Sequence, residues 1–437
     1  LSTWTFLDYE FEDYASIYKS YRQSASLRET KAKRKEQRCR VYELKVNNAK
    51  LNSTQRNHLD MIFVEAKWIY NDIIKDVSNK ATDAYVRSLK EVAVRYPDGF
   101  SYQTISHISS QMKQSIATGV ISSLKSLAKL KANGQEVGEL KFVSEYRSVD
   151  LKQYGNTYRI DFAKKTIKLQ GLGKPLKVFG LEQIACNADI ANAKLVKRFG
   201  EYYFYITTYS KDERVRKNEV LGLDFGISEN LIMSNNMELT YKTPISPRTI
   251  KLQQSLSRKI GAKKGEKKSK KYLKNKRALT KSHYTDRMRR RDANNKIFHF
   301  IDGYNKIAMQ DEQIKGWMGS KEANKAIQYS AMGTIKSKLS GLESSRIEVL
   351  DKFKATTKTC SCCGAIRRMS KKDRVYKCLK CGLTIDRNLN STFNMINMSR
   401  FATEYSKTMP VDSSNKDFIN LSNIEGLEIR ILSREAR

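Results

Sequence analysis

The spacing of apolar and polar positions changes texture several times along the chain. Residues 40–47, RVYELKVN, alternate as a strand with one buried face does. After Leu51 the period lengthens. Leu59, Ile62, Phe63, Ala66 and Tyr70 recur at three- and four-residue spacing, which predicts an amphipathic helix with Ser53 as its N-cap. Helical spacing runs on to about Leu130, interrupted at Pro97-Asp98-Gly99. Between Gly138 and Tyr209 short β-like runs take over: KFVSEYRSVDL, TYRIDF, KTIKLQ, PLKVFG, AKLVKRFG and EYYFYITTY, separated by Gly, Asn and Pro turns. This half of the chain therefore predicts an antiparallel barrel or sandwich that takes in the early strand, with the helices inserted into it.

The second half reads differently. VLGLDFGISENLIMSNN is an apolar strand, a turn and a second apolar run, the opening of an α/β core. Residues 248–300 form a long, very basic helical stretch. YNKIAMQ (304–310) is a buried strand, 321–340 is helical, and SRIEVLDK is a further strand. A helix from about Leu389 places Leu389, Phe393 and Ile396 on one face. No run of about 18 apolar residues exists to cross a membrane. The first residues, Leu1 to Glu12, lack the basic-then-apolar order of a secretory signal.

Composition sharpens this picture through charge. With 82 Lys+Arg against 46 Asp+Glu, the net charge is +36. Such an excess opposes folding by self-repulsion unless a polyanion neutralises it, and nucleic acid does so while releasing its own condensed counterions. The positive charge is clustered, in KAKRKEQRCR (31–40), RKIGAKKGEKKSKKYLKNKRALTK (258–281) and RMRRR (287–291). Lys263, Lys264, Lys267, Lys268, Lys270, Lys271, Arg287, Arg289, Arg290 and Arg291 are the expected nucleic-acid contacts. A hydrophobic fraction of 40% is ample for packed cores, which excludes a disordered polycation.

Five of the seven cysteines fall between 360 and 381, an odd and tightly clustered set unlike a secreted disulfide framework. Cys360 and Cys363 form one C-x-x-C knuckle, and Cys378 and Cys381 another, each followed by a Gly (Gly364, Gly382) that lets the backbone turn back. Two such knuckles predict a zinc ribbon. Four thiolates close the coordination shell, so this zinc holds shape and performs no chemistry.

Three further places carry polar groups in apolar surroundings. Asp224 sits inside VLGLDFGI, where a carboxylate is costly to bury unless paired or metal-bound. Gln310, Asp311 and Glu312 end the 304–310 strand; continued alternation would put Gln310 and Glu312 on one face. Asp386 and Asn388 stand where the last helix begins. Together they suggest carboxylates for magnesium, two ions of which can clamp the attacking and leaving oxygens of a phosphodiester.

In their order these residues resemble the TnpB proteins of insertion sequences and the related miniature type V CRISPR effectors. GLDFGI (222–227) resembles the first motif of their RuvC-like nuclease, MQDEQIKGW (309–317) the second, and TTKTCSCCG with YKCLKCGLTIDRNLNS (356–364, 376–391) the zinc ribbon and third motif. The resemblance implies a multidomain α+β fold: an N-terminal extension (1–34), a wedge β-barrel (35–50 and 135–215), an inserted helical recognition lobe (51–134), an RNase H-like RuvC domain (216–355 and 383–437) and a zinc ribbon (356–382) that binds target nucleic acid. It implies as partners a guide RNA and double-stranded target DNA, as cofactors one structural zinc and magnesium at Asp224, and a cytoplasmic, nucleoid-associated place in a prokaryote.

Two departures from the family pattern bear on cleavage. Cys381 plus seven is Asn388, where the family has its third catalytic Asp. In register with Lys315-Gly316, Gln310 falls at the family Glu, Asp311 at the following Asp, and Glu312 at an apolar position. This reading predicts a RuvC-like site inactivated at Gln310 and Asn388, in a guided DNA binder that regulates transcription, with the transcription machinery as a further candidate partner and monomer and homodimer both open. The alternative is an active, RNA-guided, magnesium-dependent double-stranded DNA endonuclease, either mutated in this chain at 310 and 388 or using Glu312 and Asp386, each two residues from a lost carboxylate.

Overall fold

The early strand finds its partners far down the chain. In the computed structural model, which describes residues 14–35, 37–242, 245–258, 269–330, 332–370, 373–404 and 421–432, the chain forms two units, 1–213 and 214–437. In the first, helix α1 (Tyr14–Lys35) leads into β1 (Gln37–Val46). Helix α2 (Ser53–Lys75), the short α3 (Val77–Lys80) and α4 (Asp83–Ser88), strands β2 (Glu91–Tyr96) and β3 (Gly99–Thr104), and helix α5 (Ser110–Ala132) follow. Then come β4 (Ser148–Leu151), β5 (Tyr158–Asp161), β6 (Thr166–Leu169), β7 (Leu176–Phe179), β8 (Asp189–Arg198) and β9 (Glu201–Lys211).

These strands make one nearly closed antiparallel sheet in the order β4-β8-β9-β1-β7-β6-β5, with Gln37 opposite Lys211 and Lys45 opposite Tyr203. Its inner face and helices α2 and α5 share a single core. Leu44, Leu169, Leu195 and Phe204 pack with Leu59, Ile62, Phe63, Ala66, Met112 and Ile116, all buried. The i, i+3, i+4 stripe read for α2 is thus the stripe that docks on the sheet.

Three local expectations change. Asn52, not Ser53, caps α2: its side chain accepts from Gln55 N (2.7 Å) while the Gln55 side chain accepts from Asn52 N (3.1 Å), a reciprocal capping box. The interruption at Pro97-Asp98-Gly99 is the turn of a β-hairpin, β2–β3, so the inserted segment is not wholly helical. Residues 141–147 form no strand; β4 begins only at Ser148, with Arg147 O accepting from Lys197 N (3.0 Å) just before it.

In the second unit β10 (Lys217–Phe225), β11 (Leu231–Met233) and β12 (Met237–Tyr241) precede helices α6 (Pro247–Ser257) and α7 (Lys270–Ile301). β13 (Tyr304–Gln310), α8 (Lys321–Ser330), α9 (Met332–Leu339) and β14 (Ile347–Leu350) follow. The ribbon strands β15 (Val375–Lys377) and β16 (Thr384–Asp386), helix α10 (Arg387–Asn397) and β17 (Leu427–Ile431) complete it. The sheet order is β14-β13-β10-β11-β12-β17; β10, β13 and β14 run parallel, the other neighbours antiparallel. Alternation along β10 splits its side chains. Leu221, Leu223 and Phe225 join Ile297, Ile301, Ile335 and Leu339 on the α7–α9 side, while Val220 faces Met395 and Ile396 of α10. Among the described residues no helix is long and apolar enough to cross a membrane.

Candidate metal centre and carboxylate site

The cysteine cluster is built from two matching turns. Gly364 N donates to Cys360 O and Gly382 N to Cys378 O, each at 3.0 Å. Gly364 and Gly382 have φ of +73° and +78°, the left-handed region for which glycine was expected after each knuckle. The Sγ atoms of Cys360, Cys363, Cys378 and Cys381 all lie within 4.8 Å of one another, with Cys360–Cys381 at 3.6 Å and Cys363–Cys378 at 3.5 Å. Tetrahedral zinc–thiolate bonds of about 2.3 Å set the sulfurs about 3.8 Å apart, so this donor set fits one zinc ion. Cys362 is exposed and outside the cluster.

Asp224 lies one step before the end of β10, on the face covered by α10. Its neighbour on that face, Gly222, leaves room for the helix: a Cβ there would sit 2.1 Å from Thr392 O. Burial, and then the charge of Glu312, push the Asp224 carboxyl up to about 7, while the Ser391 hydroxyl and Arg387 pull it down. Asp386 adds to the negative charge it feels. Glu312 is itself raised by burial and lowered by Lys336. Glu312 and Asp386 therefore both bear electrostatically on Asp224.

Gln310 follows Met309, the partner of Leu223, so the parallel register sets it beside Asp224 on the α10 side of the sheet, but its amide is committed elsewhere. It is buried, its Nε2 donates to Asp351 O (3.0 Å) and Lys354 O (2.9 Å), and its Oε1 accepts from Thr356 Oγ1 (2.9 Å). The amide pins the 351–356 segment that leads into the ribbon. Strand β13 stops at Gln310, and Glu312 N turns back to donate to Gln310 O (2.9 Å). The alternation assumed through 310–312 ends there, and the turn carries Glu312, whose charge Asp224 feels. Asp311 points elsewhere, held well below the usual carboxylate range by Lys336 Nζ at 2.7 Å.

At the start of α10, Asp386 is the N-cap, accepting from Asn388 N and Leu389 N, both at 2.9 Å. Asn388 Oδ1 accepts from the neighbouring Arg387 guanidinium (3.3 Å from Nε and Nη2). Among the described residues no three carboxylates approach within the 4.8 Å that the cysteines meet. Sequence reading missed Lys336, which braces the 311–312 turn through Glu312 O (2.5 Å), and Asn394, whose amide donates to Thr356 O (2.7 Å) and Thr359 O (2.6 Å). Asn390 donates to the same Thr359 O (2.7 Å) and accepts from Ser361 N (3.0 Å). The available signal was the Asn390–Asn394 pair, one helical turn apart on a buried face.

Of the expected nucleic-acid contacts, Lys263, Lys264, Lys267 and Lys268 lie outside the described residues. Lys270, Lys271, Arg287, Arg289 and Arg291 are exposed on α7, and Arg290 is partly buried. The opposite side of α7 is tied down through Asp286, whose carboxylate accepts from Thr249 Oγ1 of α6 (2.7 Å).

Residues 334–395 match the TNB domain of the Cas12f1-like family, a span from α9 through the cysteine cluster to α10. Among solved structures the chain is similar to a cryo-EM structure of the Cas12f1–sgRNA–target DNA complex (15% identity, TM-score 0.38, covering 79% of this chain and 81% of that one). It is also similar to the mini-RNA-guided endonuclease CRISPR-Cas_phi3 (12% identity, TM-score 0.25, covering 63% and 65%). No curated protein matches it.

Proposed function

We infer that this chain, a member of the TnpB-like and miniature type V effector family, binds DNA under the direction of a guide RNA and cuts it poorly or not at all. Base pairing would read the sequence while the protein holds the backbones and tests a short adjacent motif. The +36 charge and the exposed cations of α7 support the polyanionic partners. The strand order of the second unit, four antiparallel strands (β17, β12, β11, β10) continued by two parallel ones (β13, β14), supports an RNase H-like RuvC domain over 216–355 and 383–437.

The observation that carries the cleavage reading is the contrast between the Asp224–Glu312 pair and Asn388. Two carboxylates beside a phosphate backbone fit one magnesium ion, which takes one or two carboxylates plus substrate oxygens. When bound, such an ion supplies charge stabilisation to a phosphodiester under attack. A second ion needs a third carboxylate, and at the family's position stands the Asn388 amide beside Arg387. We assign the loss first to Asn388, because both ends of the Gln310 amide are already bonded to the 351–356 segment. Asp386 favours the alternative of residual cleavage, because it adds negative charge at Asp224; its Oδ1 is already committed to the helix cap. A transcriptional role follows from guided binding without cutting.

The test is purification of the chain with its RNA, sequencing of that RNA, and a gel shift on DNA matched to its unpaired segment. Shift of the matched duplex alone supports guided binding. Equal shift of matched and scrambled duplexes sinks it.

A further inference from the structure

The β2–β3 hairpin presents two large aromatic rings to solvent. Its register pairs Ala93 with Tyr102 and Arg95 with Phe100, so Ala93, Arg95, Phe100 and Tyr102 share one face. Val92, on the other face, is 3% exposed in the first unit's core, which turns the aromatic face outward. Phe100 is 68% and Tyr102 76% exposed. They stand two residues apart on one strand, about 7 Å along it, which is the reach between bases of an unstacked single strand. A protein core gains nothing from such rings, and leaving them in water is unfavourable.

Cations surround them. Arg95 is exposed and directly across from Phe100; Lys75 Nζ is 5.8 Å from the centroid of the Phe100 ring and donates to Ala93 O (3.2 Å); Lys90 is exposed at the base of β2. The acids nearby sit apart from the rings. Asp72 accepts from Lys80 and Tyr85, with Lys75 3.8 Å away; Glu91 is at the far end of the hairpin face; Asp98 is in the turn. Aromatic faces for bases flanked by positive side chains for phosphates are the two elements of single-strand binding.

We propose that the outward face of this hairpin is a stacking platform for unpaired RNA bases, with Phe100 and Tyr102 each taking a base and Arg95 and Lys75 the adjoining phosphates. RNA is the committed source because, on the guide-RNA reading on which this inference rests, the RNA holds the unpaired bases before any target is opened. The platform would keep such bases ordered until they pair.

The experiment measures anisotropy of a fluorescein-labelled oligouridylate about 15 nucleotides long against the full chain freed of RNA. Phe100→Ala with Tyr102→Ala is expected to weaken binding about tenfold or more, with Phe100→Tyr and Tyr102→Phe near the natural value. Leu at both positions, which keeps apolar bulk but no ring face, is expected to bind as weakly as Ala. Arg95→Gln is expected to lower the salt slope by about 1, and the ring variants to leave it unchanged. Full affinity in the Ala or the Leu pair overturns the platform, as does a ring-dependent preference for oligothymidylate over oligouridylate. If the unmodified chain binds no oligouridylate, the guide-RNA reading falls as well; if it binds and the Ala pair binds equally, only the platform does.

Discussion

Gly222 lies against the carbonyl oxygen of Thr392, so close that a Cβ on it would sit 2.1 Å from that oxygen. This contact lets α10 lie directly on the face of β10 that carries Asp224, where Ser391 and Arg387 of the helix lower the carboxyl's pKa. Gly222→Ala must push the helix away, and backbone cannot yield as a flexible side chain does. The expected cost is about 2–3 kcal/mol, read as a lower thermal midpoint of the second unit.

Gln310→Glu and Asn388→Asp, both of which add the acid expected from sequence, should behave oppositely. A carboxylate at 310 would face the carbonyl oxygens of Asp351 and Lys354 in place of two donated N–H bonds. It should destabilise the protein by about 2–4 kcal/mol and restore no cleavage. At the partly exposed position 388 an Asp can pair with Arg387, so the midpoint should stay within about 0.5 kcal/mol of the natural one. Chemical denaturation of the two variants side by side checks this.

Asp224 gives the site a pH dependence. Its carboxyl is pushed up to about 7 in the folded chain, from 3.8 ordinarily. The folded state therefore binds the extra proton, so this contribution to stability is full below about pH 4 and is lost as pH rises through about 7. Asp224→Asn should remove that slope, leaving a smaller fall in midpoint between about pH 5 and about pH 8. Magnesium competes with the same proton, so its stabilising effect on the natural chain should grow as pH rises through about 7. A magnesium effect independent of pH would contradict the assignment.

Zinc removal should act locally. Chelation, or Cys378→Ser, should release about one zinc per chain and melt the β15–β16 hairpin with the buried Tyr376 and Ile385 behind it. Circular dichroism of the β-sheet in the first unit should persist. Metal analysis together with proteolysis near residues 360–381 measures both.

The sequence displayed what is local. The knuckle spacing, the glycines after it and Asp224 in an apolar strand need only short-range chemistry, and the structure keeps them together. The turn after β13 was not legible. Residues 310–312 read equally well as continued alternation; the strand stops because Glu312 N turns back onto Gln310 O and the Gln310 amide is held by residues more than 40 positions away. The β2–β3 hairpin was hidden for a related reason. EVAVRY is short, and Pro97-Asp98-Gly99 punctuates a helix as plausibly as it makes a turn. Barrel order depends on pairings such as Lys45 with Phe179, which no window of sequence contains.

A guided DNA binder whose third carboxylate position holds Asn388 should have lost efficient cutting with that carboxylate. Cleavage of a matched duplex in magnesium tests it most directly, using the natural chain, Asn388→Asp, and Asn388→Asp with Asp224→Ala, each loaded with the copurifying RNA. The expected result is binding without cutting by the natural chain, guide-dependent cutting by Asn388→Asp, and none when Asp224 is also removed. Efficient guide-dependent cutting by the natural chain, or intact binding with no cutting by Asn388→Asp, would contradict it.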